Sequence, residues 1–124
     1  MVIFSERAGL EFDWFAVDEV GQIAVFATAG NGPVPAEVPV EASLHDAVGD
    51  QIEVSGWGTS EVWDSYAKLG LFAYDWDQQR NCYSRVAQPS QAATEGSPVQ
   101  LASAKFPRLA LSFRSNPTIA VDVV

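Results

Sequence analysis

The sequence predicts an α+β fold, a single antiparallel sheet built from hairpins with about two helices packed on one face. Three observations carry this. Short runs rich in aromatic and β-branched residues come in neighbouring pairs, as hairpin strands do. Between the pairs, apolar residues recur every three or four positions, as on a helix. Clusters of Gly and Pro separate the runs. Hairpins grouped apart from helices favour antiparallel pairing over alternating crossover units.

Leu10–Val17 and Gln22–Thr28 are the first strand pair. Asp18-Glu19-Val20-Gly21 joins them, with Gly21 free to take a positive φ in a tight turn. Ala29-Gly30-Asn31-Gly32-Pro33-Val34-Pro35 follows as a breaker-rich loop. Its Gly-Asn-Gly could cradle an anion, but it lacks the Lys and Ser/Thr of a phosphate loop, and a plain strand-to-helix turn is the commoner use.

A helix is predicted over about Ala36–Val54, with Val40, Leu44, Val48 and Ile52 as its apolar stripe. Gly49 weakens it, and the alternative is a helix ending near Val48 followed by a short strand at Gln51–Ser55. Gly56-Trp57-Gly58-Thr59 is a second breaker loop. A second helix runs from Glu61 to Leu69, capped by Thr59 or Ser60 and stopped by Gly70. Leu71–Trp76 and Cys82–Ala87 form another strand pair around the polar turn 77–81. Residues 88–98 read as a surface loop, and Val99–Leu101 as brief structure. Leu109–Phe113 and Ile119–Val123 complete the set of strands.

At 124 residues the chain reads as one compact domain, 1–124, with no internal repeat. Met1–Leu10 holds Glu6 and Arg7 and no long apolar run, so a secretory leader is not expected. No window approaches the roughly 18 apolar residues of a membrane span. The single Cys82 cannot form an internal disulfide, which suits a reducing compartment, so a cytoplasmic location is expected.

Charge is the most informative bulk property. Residues 1–77 hold 14 of the 16 acids and only Arg7 and Lys68 as bases, a net of −12, and the remainder carries +3. Such a surface repels phosphate backbones, so neither nucleic acid nor an anionic membrane is an expected partner. A basic protein is. Acidity that serves solubility alone is the plainer alternative.

The candidate partner-binding residues are Glu41, Asp46, Asp50 and Glu53, which form acidic rows on the first helix, together with Trp57, an indole between two glycines. Like charges at these helical spacings cost a few tenths of a kcal/mol per pair, on the order of 0.2–0.5. Trp57 either caps the core or anchors an interface.

No catalytic motif is present. His45 lies beside the apolar stripe and reads as a boundary residue, and Cys82 reads as a small apolar strand residue. Asp75 and Asp77 share one side of a strand end, where paired carboxylates can do acid–base work or hold a hard cation. A solvated strand end is the plainer reading. One His and one Cys cannot build a zinc site alone. No metal or cofactor is therefore expected.

The segment Asp13–Phe26, continuing through Gly30-Asn31-Gly32-Pro33-Val34-Pro35, resembles the opening of small uncharacterised bacterial proteins of the immunity type found beside polymorphic toxins. Gly70–Trp76 with Tyr83-Ser84-Arg85-Val86 and Pro89 is similar in the same way. Together they cover about a third of the chain. The resemblance implies a protein that binds and neutralises a toxin, often a basic nuclease, and it implies no catalytic residue. A small enzyme with a carboxylate or His/Cys pocket, and a subunit of a homo-oligomer, are the alternatives.

Overall fold

The computed structural model describes residues 1–123. Five strands form one sheet: β1 (Asp13–Val17), β2 (Ile23–Ala27), β3 (Phe72–Asp77), β4 (Cys82–Ala87) and β5 (Thr118–Ala120). Among the described residues there are four α-helices: α1 (Glu37–Val40), α2 (Ala42–Gln51), α3 (Glu61–Lys68) and α4 (Pro98–Ala102). Spatial order follows chain order, β1-β2-β3-β4-β5.

The sheet is mixed, which corrects the expected purely antiparallel sheet. β1/β2, β3/β4 and β4/β5 are antiparallel, but β2 and β3 pair in parallel, with Ala24 opposite Phe72 and Ala27 opposite Asp75. The cause is the connection. Residues 28–71 hold α1, α2 and α3, long enough to carry the chain back to the end of the sheet where β2 began. A hairpin turn cannot do this, and a helical crossover can.

The expected one-sided helix layer is also corrected, because both sheet faces are covered. One face buries Trp14, Phe26, Tyr74, Tyr83 and Phe113 under the N-terminal segment, α1 and the C-terminal segment. The other buries Phe15, Val25, Ala73 and Leu71 beneath α2, α3 and α4, through Val48, Val62, Tyr66 and Val99. Two-sided burial explains why β2 reads Ile-Ala-Val-Phe-Ala with no polar alternation.

The predicted first helix is two. Glu41, at φ −108° and ψ 28°, breaks it between α1 and α2, and Ile52 is extended. Val38 of α1 packs on the first core and Val48 of α2 on the second, so one straight rod could not serve both. The predicted stripe shifts with the break: Val40 is exposed, Leu44 and Ile52 are half-buried, and His45 joins Val48 in the interior.

α3 begins as expected, with Thr59 Oγ1 accepting from the Glu61 N–H at 3.3 Å. It ends at Gly70, whose φ of +85° and contact with the backbone of Ala92 and Ala93 leave no room for a side chain. Ser97 caps α4, accepting from the Gln100 N–H at 3.4 Å.

The predicted strand Leu109–Phe113 is irregular. Among the described residues it is tied to the β1 side by a parallel bridge between Val17 and Arg108, by bonds from the Val17 N–H to the Pro107 carbonyl and from the Leu109 N–H to the Val17 carbonyl, and by one from the Glu19 N–H to the Leu111 carbonyl. Beyond it, the Asp18 carboxylate replaces the ladder. Its Oδ1 accepts from the Val20 and Gln22 N–H groups at 3.0 and 2.8 Å, and its Oδ2 from the Phe113 N–H at 2.9 Å. Asp18 is fully buried. It closes the first hairpin and straps the C-terminal segment to the outer edge of β1.

The basic C-terminal third serves the same attachment. Arg85 donates to the carbonyls of Phe113 and Arg114, Arg108 to the carbonyl of Asp18, and the Arg114 guanidinium sits 5.3 Å from the Phe72 ring centre. No helix of the described residues is long and apolar enough to cross a membrane.

Candidate functional site

A cleft of about 290 Å³ opens between the sheet and α3. Its floor is one row of the sheet. Asp13 on β1 stands opposite Ala27 on β2, and Ala27 opposite Asp75 on β3. Side chains in such a row point to one face. The small Ala27 leaves a gap between the two carboxylates. Glu11, two residues before Asp13, adds a third.

The walls are aromatic. α3 contributes Trp63 and Tyr66, whose rings lie 6.2 Å apart, and the loop before α3 contributes Trp57. Trp57 is held between Gly56 and Gly58, both at positive φ, and remains 66% exposed. That backbone is open to glycine and strained for other residues, so the loop is shaped to project its one large side chain.

No Lys, Arg or His lines the cleft. Its electrostatics follow. Burial pushes the Asp13 carboxyl up to about 6, opposed by the Tyr66 hydroxyl, which donates to Oδ2 at 3.4 Å, and reinforced by Glu11 and Asp75. Burial also raises the Asp75 carboxyl, with Asp77 and Glu11 adding to the rise. Tyr66 is pushed well above the ordinary phenol range by burial and by Asp13.

The cleft includes only one of the residues singled out in the sequence for binding, Trp57. Glu41, Asp50 and Glu53 are exposed and lie outside its lining. Asp46 is exposed and engaged in a two-pronged pair with Arg7, at 2.8 and 3.2 Å. Such a surface pair contributes at most about 1 kcal/mol. Asp75 does line the cleft, but Asp77 turns away, its Oδ1 accepting from the Gln79 and Arg80 N–H groups.

His45 is not the boundary residue its helix position implied. It is 1% exposed and packs against the rings of Phe15 and Phe106 at 6.2 and 5.8 Å, which also stack on each other at 5.4 Å. Its Nδ1 accepts from the Phe15 N–H at 3.0 Å, which fixes the proton on Nε2, an atom with no hydrogen-bond partner. Burial lowers its pKa to about 4, partly offset by Asp46. Cys82 is buried on β4 with its Sγ 3.8 Å from the Ser84 hydroxyl, and no bond joins it to His45. The Gly-Asn-Gly loop is packed rather than open. Gly32 lies against Trp76 and the Tyr83 hydroxyl, and that hydroxyl donates to the Pro33 carbonyl at 2.8 Å.

Asp13, Glu11, Trp63 and Tyr66 were not singled out in the sequence. The one available signal was Asp13 itself, a carboxylate flanked directly by Phe12 and Trp14 inside a strand-like run. Among the described residues no group of three or more His, Cys, Asp or Glu side chains is arranged to hold a metal ion. No protein-family model matches the chain, no curated protein matches it, and no solved structure matches it.

Proposed function

We propose that this chain is a protein-binding module, an immunity-like inhibitor that occludes a basic partner such as a toxin. The cleft is the observation that carries the reading. Three carboxylates and three aromatic rings converge there with no base to neutralise them. The ionised form of Asp13 is disfavoured in the free protein, and a cation entering the cleft relieves that. The −12 net charge of residues 1–77 supplies a long-range field of the matching sign.

The test is capture from lysate of the source organism with stepped salt elution. A stoichiometric basic protein released by rising salt is the expected result. With that partner in hand, the Asp50→Asn/Glu53→Gln variant is expected to associate about tenfold more slowly and with a shallower salt dependence, because exposed charges act on encounter. Unchanged association kinetics would remove those two residues from steering. A second reading, an acid–base enzyme, is favoured by Asp13 alone, since a carboxyl near 6 beside another carboxylate suits proton transfer.

A further inference from the structure

We infer that the cleft between the sheet and α3 is a receptor for one alkylammonium group, the end of a lysine-type side chain. This rests on the proposed reading, a basic protein partner, and names the chemical group that such a partner inserts.

The floor sets the size of the guest. Asp13 and Asp75 sit on strands separated by β2, so their backbones are about 9–10 Å apart. The side chain between them is only Ala27. A charge-assisted bond from ammonium to carboxylate runs about 2.8 Å. One ammonium centred over Ala27 therefore bridges the two acids, and no protein group does so. An unfilled gap between two like charges in a half-buried site is a cost that a monovalent cation removes.

The walls select the kind of cation. A divalent metal requires several oxygen ligands closing within about 2.3–2.6 Å, and no such set is gathered here. Trp63 and Tyr66 line one side, and aromatic rings attract organic cations while offering nothing to a hydrated metal. Trp57 is a separate observation. Its indole is the largest exposed aromatic side chain, and it stands at the rim of this one cleft. A flexible alkyl stem crossing the rim covers it. A ligand without charge, such as a sugar, stacks on the indoles but leaves the carboxylates uncompensated.

The test is titration of the intact protein with Nα-acetyl-lysine amide at low salt and slightly alkaline pH, followed by the indole N–H resonances. Nα-acetyl-norleucine amide, close in shape but without the charge, and a neutral disaccharide are the controls. Shifts confined to Trp57 and Trp63, saturable with the lysine compound and absent with both controls, are the expected result. The Asp13→Asn/Asp75→Asn variant is expected to bind about tenfold more weakly or worse. Ala27→Val, which fills the gap while keeping both acids and suits a strand, is expected to lose binding to a similar extent. Retained binding in a folded Ala27→Val protein, equal binding of Nα-acetyl-norleucine amide or the sugar, or shifts only at Trp14 and Trp76 would each overturn the inference. Failure here with an intact salt-sensitive protein partner leaves the binding-module reading standing and places the contact elsewhere. Ammonium binding without any protein partner does the reverse.

Discussion

Asp18→Ala is expected to lower the unfolding free energy by about 4 kcal/mol, the largest effect of any single polar substitution in this fold. The carboxylate accepts three backbone N–H bonds, from Val20, Gln22 and Phe113, while fully buried. Hydrogen bonds to a charged group are worth about 1.5–3 kcal/mol each, and the N–H of buried Phe113 has no water to replace the lost partner. Water can reach the turn at exposed Val20, which keeps the total below the sum of three bonds. Asp18→Asn keeps the shape but turns one acceptor into a donor that faces an N–H. It is expected to lose about half as much. Urea denaturation of the three proteins measures both. A loss under about 1 kcal/mol for Asp18→Ala would mean that the C-terminal segment holds to β1 without the clamp.

Asp13→Asn is expected to stabilise the protein by about 3 kcal/mol at pH 8 and by nothing below about pH 4. The Asp13 carboxyl titrates near 6 in the fold, against about 3.9 in an unfolded chain. Between those values the folded state holds a proton that the unfolded state has released. Stability from this group is thus complete below pH 4 and is lost as pH rises through 6. His45 runs the opposite way. Its folded value near 4 lies below the unfolded value of about 6.5, so stability is complete above 6.5 and is lost as pH falls through 4. The groups bearing on these sites are Glu11, Asp75 and Tyr66 around Asp13, and Asp46 beside His45. The two slopes nearly cancel in the wild-type protein between pH 4 and 6. In Asp13→Asn the opposing Asp13 slope is gone and the histidine slope dominates, and stability is expected to fall by about 3 kcal/mol from pH 7 to pH 4, less whatever the raised Asp75 offsets. Denaturation midpoints across that range check both halves. A wild-type profile as steep as the variant's would show that Asp13 is not held protonated. An ionised carboxylate kept at such a cost is what a binding site asks for, since stability and site chemistry commonly oppose each other.

Local pattern located β1, β2, β3, β4 and α3 well, because each is short and declares itself within its own residues. The parallel pairing of β2 and β3 was not legible, because it is set by the reach of residues 28–71 rather than by either strand. The unbroken apolar run of β2 did carry the sign of two covered faces. His45 was misplaced because periodicity counts histidine as polar, whereas here its ring behaves as an aromatic slab that caps the Phe15 amide. Leu109–Phe113 has strand composition but meets a carboxylate where a ladder would begin. The cleft draws on β1, β2, β3, α3 and the Trp57 loop, so no window of sequence contains it. The exposed acids of α2 were visible for the opposite reason: all of them lie on one segment.

The strap across β1 also orders events during synthesis. The first hairpin leaves the ribosome early, yet beyond the bond from the Phe15 N–H to His45 its outer edge finds partners in Pro107, Leu109 and Leu111, and its turn is completed by Phe113. Its inner neighbour β3 is likewise delayed by the crossover. A nascent chain shorter than about 113 residues therefore carries an edge at Val17 and Glu19 that its later strap has yet to cover. That edge is completed only once the Phe113 amide reaches Asp18.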